Sequence, residues 1–262
     1  MKRLRDILKK VAKGEISVEE AERLLRILAI EEVGNMAKID IGREHRRGIP
    51  EVILAEGKTP EDLAEITVKM LKKSGRAIIS RVTKEQIHTI KDALPKDADV
   101  EIHSKARIII VRMGNLKVEK TGGKIGILTA GTSDIQVAEE ARIIAEEMGC
   151  EVITAYDVGV AGIHRLIPPL KEMIAGDVDV LIVVAGREGA LPTVVAGMVD
   201  LPVIAVPTSV GYGLGEKGIS ALIAMLQSCS LGLAVVNIDG GVAAGAIAAM
   251  IANRIAKFKR KS

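Results

Sequence analysis

The sequence predicts an α/β protein: a C-terminal doubly wound parallel sheet with flavodoxin-like strand order, preceded by a smaller N-terminal α/β domain. Three observations lead there. Five short apolar runs, at 125–129, 151–155, 180–185, 203–206 and 234–238, alternate with helical segments. Strands of that kind belong to a parallel sheet covered on both faces. The runs end in loops rich in glycine, hydroxyl and acidic residues, as in open sheets that bind ligands beyond the carboxyl ends of their strands. Finally, the polar run 115–123 separates this alternation from a less regular first half, which sets the domains at 1–122 and 123–262.

In chain order, Leu4, Ile7, Leu8 and Val11 repeat at helical spacing, as do Ala21, Leu24, Leu25 and Leu28. Gly14 separates the two helices, and Ser17-Val-Glu-Glu20 is a capping box for the second. The stretch 35–58 has neither period. It crowds Lys38, Asp40, Arg43, Glu44, His45, Arg46, Arg47 and Glu51 together, and reads as either a surface loop or a substrate-facing segment. Thr59-Pro-Glu-Asp62 then starts a helix with a cap, a proline at the first position and acids in the first turn. A strand at 77–82, a helix opened by the capping box Thr83-Lys-Glu-Gln86, and strands at 100–103 and 107–112 complete the first domain.

Composition narrows the function classes. Hydrophobic residues at 48% against 27% charged exclude a disordered chain. With no Trp, one Phe and two Tyr, the cores are aliphatic and an aromatic platform for single-stranded nucleic acid is excluded. The net charge of +3 gathers at 1–10 and 257–261, which read as solvated chain ends, so no nucleic-acid partner is expected. Two cysteines and a charged start, MKRLRDILKK, lead to the expectation of a reducing, cytoplasmic location. The apolar run 241–251 is too short for a membrane span and gives way to Asn253 and Arg254.

The chemistry lies in the loops of the second half: TAGTSD at 129–134, YDVGVAGIHR at 156–165, AGREGALP at 185–192, PTSVGYGLG at 207–215 and DGG at 239–241. Gly131, Thr132, Ser133 and Asp134 place a glycine, hydroxyls and free N–H groups at a helix start, a ready anion site. Ser209, Gly211, Tyr212 and Gly213 repeat that arrangement after the fourth strand. Neither is a nucleoside-triphosphate P-loop or a dinucleotide fingerprint. Glu188, between glycines, reads as either a solvent-facing acid or a base whose pKa is raised by apolar surroundings. Tyr156, His164, Gly186 and Gly189 are further candidates for lining the crevice. Spacing makes Cys229 a buried thiol, continuing the stripe Ile219, Leu222, Ile223 and Leu226 of a helix over 217–229. Asp134, Asp157 and Asp239 at strand ends could hold Mg²⁺ together with phosphate oxygens, though their spacing does not demand it. The chain has no paired CxxC and no histidine cluster for zinc.

These motifs, with MLQSCS, VVNIDGG and the upstream AKID and GIPEVILAEGKTPEDL, resemble the LarB family, pyridinium-3,5-biscarboxylic acid mononucleotide synthases of nickel-pincer nucleotide biosynthesis. The family's C-terminal domain is similar to aminoimidazole ribonucleotide (AIR) carboxylase, PurE. The likeness runs from 34 to 241. It implies a carboxylase that joins CO₂ or bicarbonate to the pyridinium ring of nicotinic acid adenine dinucleotide and hydrolyses the phosphoanhydride with Mg²⁺. It implies Cys229 as the nucleophile and Glu188 and Asp40 as acidic groups. The segment from Lys38 to Arg47 is then expected to reach over the ring or the pyrophosphate, since Arg43 and Arg47 suit bidentate oxyanion contacts. The resemblance also implies a homo-octamer. Two departures stand out: Arg187 occupies a position expected to be apolar, and Ile41-Gly42 replaces a more polar pair. The alternatives are a purine-pathway AIR carboxylase or mutase, and a non-catalytic nucleotide-binding regulator.

Overall fold

A computed structural model describes residues 2–25, 31–33, 37–39, 47–114, 116–213 and 215–260, with side chains described except at 2–6, 22–25, 31–33, 37–39 and 216. The chain divides into two compact units, Met1–Ile102 with Ile109–Leu116, and His103–Ile108 with Lys117–Ser262.

The first unit opens with α1 (Lys2–Ala12) and α2 (Val18–Leu25). The hydroxyl of Ser17 caps α2, accepting from the Glu20 N–H at 3.1 Å. Strands β1 (Glu31–Val33) and β2 (Ala37–Ile39) pair antiparallel. Then come β3 (Val52–Leu54), α3 (Pro60–Ser74), β4 (Arg76–Ser80), α4 (Lys84–Ala93), β5 (Ala98–His103) and β6 (Ile108–Met113). They build a sheet of order β3-β4-β6-β5. Thr59 caps α3, and Thr83 with Gln86 forms the reciprocal box on α4. Gln86 also donates to the carbonyls of Ala55 and Lys58, at 3.2 and 3.0 Å, so the cap ties α4 to the β3–α3 turn. The core is aliphatic, built on Leu63, Leu71, Ile79, Ile90 and Ile109.

One expectation changes here. The sequence reading assigns no regular element to 35–58, yet β2 and β3 lie within it. Three-residue strands are shorter than any period can register. Instead, β3 is secured by parallel pairing with β4 and by one buried side chain, Ile53.

The second unit alternates regularly: β7 (Lys124–Thr129), α5 (Ile135–Glu147), β8 (Glu151–Ala155), α6 (Ile167–Ala175), β9 (Val180–Ala185), α7 (Leu191–Ala196), β10 (Val203–Pro207), α8 (Ile219–Leu226), β11 (Leu233–Val235) and α9 (Gly241–Lys259). The sheet order is β11-β10-β9-β7-β8 and every pair is parallel. This is the expected flavodoxin-like winding. The first crossover runs outward to β8, and the next returns past β7 to β9. The carboxyl ends of β7 and β9 therefore flank a topological switch point. All of β9 and β10 is buried, in keeping with cover on both faces.

One helix buries the opposite side from the one its sequence suggests, and another packs through its small residues. Helix α8 stops at Leu226, short of Cys229, and its Ile219, Ile223 and Leu226 are exposed while Ala221 and Met225 are buried. Helix α9 is long and apolar enough to cross a membrane by length and composition, but it packs on α5 through small residues, among them Ala244, Gly245, Ala248 and Ala252. A Cβ on Gly245 would stand 2.4 Å from the Ala141 carbonyl oxygen, so only glycine permits that approach. Ile247 and Met250 face outward. In α9 close packing selects the small side chains for the inside, and in α8 it takes Ala221 and Met225. The expected burial of Ile219, Ile223 and Leu226 is overturned.

Candidate active site

At the switch point lies a cavity of roughly 530 Å³, an ordinary size for a small-molecule site. The loops after β7 and β8, the β9–α7 turn, and Val210 beyond β10 form its walls.

Asp134 holds these loops together. It is 4% exposed. One carboxylate oxygen accepts from the Gly131 N–H at 2.9 Å and the other from the Thr208 hydroxyl at 2.7 Å. Burial pushes its pKa up, against the lowering effect of hydrogen bonds from Thr208, Gly131 and the Gly186 N–H. Thus the loops following β7, β9 and β10 converge on one carboxylate. Gly186 makes the convergence possible: a Cβ there would sit 2.4 Å from the Val210 carbonyl oxygen and 2.6 Å from the Thr208 hydroxyl. Asp134 is therefore a brace, with its oxygens engaged inside the protein.

Of the sequence candidates, Gly131, Ser133, Asp134, Gly186 and Glu188 line the cavity. Glu188 is exposed, which removes the expectation of apolar surroundings for its carboxylate. Thr132, Gly189, Ser209, Gly211, Tyr212 and Gly213 are not in the wall. The Ser209 N–H is taken by Asp239 at 2.8 Å. His164 is exposed and also outside the wall. The Tyr156 hydroxyl donates to Glu139 on α5, which Arg142 grips with two hydrogen bonds of 2.9 Å. Burial and that bond push the Tyr156 pKa up to about 12. For Glu139, burial acts upward, but the bonds from Arg142 and Tyr156 prevail and hold the carboxylate below its ordinary range. Tyr156 thus serves α5.

The wall also contains Arg165, which the sequence did not single out, and Asp157, which it offered only as a Mg²⁺ ligand. Arg165 donates to Asp157 at 2.6 Å, and both line the cavity. Asp157 adopts φ 58° and its N–H donates to the Thr129 hydroxyl at 3.0 Å. Both residues lie beyond the end of β8, and Asp157 turns into the wall to meet Arg165 while Tyr156 meets Glu139. Arg187, noted above as a departure, lines the wall as well.

Cys229 is exposed, in the turn after α8, and is not among the cavity-lining residues. Its neighbours are anchored: Thr193 of α7 donates to the Ser228 hydroxyl at 2.9 Å, and the Ser230 hydroxyl donates to the Thr193 carbonyl at 2.9 Å. The turn is thus clamped to the helix that follows Glu188, and the thiol is left accessible. The other cysteine, Cys150, is buried. Burial pushes its thiol up to about 11, and it donates to Asn253 at 3.2 Å.

Among the described residues no three acidic, histidine or cysteine side chains cluster to hold a metal. The three strand-end aspartates already have partners: Asp134 braces loops, Asp157 meets Arg165, and Asp239 accepts from Ser209. They do not form a resident Mg²⁺ cage. Asp40, Arg43 and the Lys38 side chain lie outside the described residues; Arg47 is an exposed residue of the first unit.

Comparison with known proteins bears on both halves. A LarB/PurE-like N-terminal domain model matches residues 30–113, and an AIR carboxylase model matches 124–261. An uncharacterized protein of Methanocaldococcus jannaschii is 49% identical over 255 residues, covering 96% of this chain and 97% of its own. An N5-carboxyaminoimidazole ribonucleotide mutase of the same organism is 35% identical over 126 residues, 47% of this chain and 75% of its own. The mutase of that name from Thermotoga maritima is 29% identical over 133 residues, 49% of this chain and 74% of its own. A LarB-type N-terminal domain ahead of an AIR carboxylase domain, on a doubly wound sheet with its cavity at the switch point, supports a carboxylase-type function and shows that the chain belongs to the LarB family.

Proposed function

We propose that this protein carboxylates the pyridinium ring of nicotinic acid adenine dinucleotide and cleaves its phosphoanhydride, giving pyridinium-3,5-biscarboxylic acid mononucleotide and AMP. The observation that carries this reading is the switch-point cavity with Glu188 in its wall, in a chain that has both LarB-type halves.

A pyridinium ring is electron-poor and does not attack CO₂. In the proposed route the Cys229 thiolate adds to the ring carbon para to nitrogen, and the electron pair of the broken π bond comes to rest on nitrogen. The meta carbon of the resulting dihydropyridine is enamine-like and bonds to CO₂. A base then takes the proton from that carbon, and the returning pair expels the thiolate and restores the aromatic ring. The sum is loss of one ring proton and gain of one carboxylate, with no net redox change. A thiolate suits both ends of this sequence, as nucleophile and as leaving group. Glu188 is the carboxylate we assign to the proton, with Asp40 as the second acidic group by family likeness. Separately, water splits the phosphoanhydride.

Mg²⁺ enters this proposal as a companion of the substrate's phosphates, since the described residues offer no cage of their own. Assembly enters as a homo-octamer. The exposed apolar face of α8, with Leu231 beside it at 93% exposure, is the surface that such an assembly would cover.

Incubation with nicotinic acid adenine dinucleotide, bicarbonate and Mg²⁺, read by mass spectrometry of the small molecules, tests the reading. AMP and the dicarboxylated mononucleotide are expected, and folded protein that yields neither contradicts it. A second reading, mutase action on an aminoimidazole ribonucleotide, draws on the names of the relatives that match the second half. Turnover of that ribonucleotide, unaffected by loss of the thiol, would favour it.

A further inference from the structure

Besides the buried Asp134, the cavity wall carries four charged side chains: Asp157, Arg165, Arg187 and Glu188. Arg165 is compensated by Asp157 at 2.6 Å. Arg187 is not: among the described residues its guanidinium has no carboxylate or carbonyl partner. It rests over the Tyr212 ring, 4.5 Å from the centroid. Stacking uses the face of the guanidinium and leaves its in-plane N–H donors open. Tyr212 is 78% exposed, so the stack is a solvent-facing rest, weaker than a two-bond grip on an oxyanion.

The backbone beneath this side chain is fixed. Arg187 has φ 53°, a left-handed conformation that a side chain rarely adopts. Its N–H donates to the Val210 carbonyl at 3.3 Å, and its own carbonyl accepts from the Ser220 hydroxyl at 2.7 Å. The position is therefore built, and its cation stands next to Glu188. An apolar residue, the kind expected there from the family likeness, would complete the wall without adding charge.

We infer that Arg187 is a specificity-determining residue of the cavity: its guanidinium leaves the Tyr212 ring to grip a carboxylate or phosphate oxyanion of the ligand. This rests on the proposed function only for the substrate, which offers both groups. The oxyanion subsite follows from the uncompensated cation in the wall.

Titration calorimetry on the full chain tests it, with the parent, R187M and R187Q against three ligands. These are nicotinic acid adenine dinucleotide, its amide counterpart nicotinamide adenine dinucleotide, and inorganic pyrophosphate. Loss of a charge-assisted grip is expected to weaken binding roughly ten- to hundred-fold. If only the acid dinucleotide weakens, the grip is on the ring carboxylate. If both dinucleotides and pyrophosphate weaken together, it is on phosphate. Arg187-dependent binding of pyrophosphate with neither dinucleotide bound leaves the subsite standing and removes the proposed substrate. Variants within twofold of the parent for every ligand, or a parent that binds none, overturn the inference. R187Q, which keeps a polar stem, serves if R187M does not fold.

Discussion

The cavity wall and the Cys229 turn are built on opposite plans. The wall is closed on itself: three strand-end loops converge on Asp134, and the glycine at 186 admits an approach that no side chain would. The Cys229 turn is also anchored, through Ser228 and Ser230 to Thr193, yet it holds its thiol outward beside a helix whose larger apolar residues are uncovered. The contrast separates two requirements. A binding wall must keep its shape when empty, so the polar groups that brace its loops are satisfied internally. A thiol with the role proposed for Cys229 must be reachable, and here its neighbours are fixed while the sulfur is left open. Cys150 shows the alternative fate of a thiol in this chain: buried, hydrogen-bonded and held protonated.

The largest effect expected from breaking this contrast is at the thiol. Cys229→Ser removes the proposed nucleophile and is expected to lower turnover by about three orders of magnitude or more, while the unfolding midpoint stays put because the site is exposed. A variant that keeps more than a tenth of the parent rate would place the chemistry elsewhere. Glu188→Gln tests the exposed carboxylate of the β9–α7 turn. A loss of about 10²- to 10⁴-fold in kcat is expected for a proton acceptor, again without a change in stability, and retention of parental kcat would remove Glu188 from that role.

Asp134→Asn should do the reverse, acting on stability before chemistry. An amide matches three converging donors poorly, so a loss of about 1–3 kcal/mol is expected, read from denaturant midpoints. Its pH dependence has a definite sign. The folded pKa of Asp134 is raised, so between the unfolded value of 3.8 and the folded one the native state binds more protons than the unfolded chain. The parent therefore gains stability relative to the variant as pH falls through the folded pKa, and loses that gain as pH rises. A gap that narrows on acidification would show that the brace is charged and well compensated. The smallest effect is expected at Tyr156→Phe. The hydroxyl serves Glu139, so stability should fall by at most about 1 kcal/mol and activity should stay within twofold. A tenfold loss of activity would bring Tyr156 into the site.

How far the sequence foretold this depends on what kind of signal each residue leaves. Parallel winding was legible because each strand of the second unit is a compact apolar run between helices, and the capping boxes at Ser17 and Thr83 name their own hydrogen bonds. Strand β3 was not, since pairing secures it, and three residues make no pattern. The loops were legible as loops, but not residue by residue. Tyr156 and Asp157 are adjacent and equally polar, and only coordinates show that one serves α5 while the other meets Arg165 in the wall. Helix α8 misled for a plain reason: ranking by hydrophobic size puts isoleucine and leucine inside, whereas close packing here takes Ala221 and Met225. That same error made Cys229 look buried.

The most direct measurement is single-turnover reaction of the parent and of Cys229→Ser with nicotinic acid adenine dinucleotide, Mg²⁺ and ¹³C-labelled bicarbonate, followed by mass spectrometry. The account predicts one labelled carbon in the mononucleotide released by the parent, together with AMP, and no labelled product from the variant. Labelled product from Cys229→Ser at the parental rate, or AMP from the parent with no label in the mononucleotide, would contradict it.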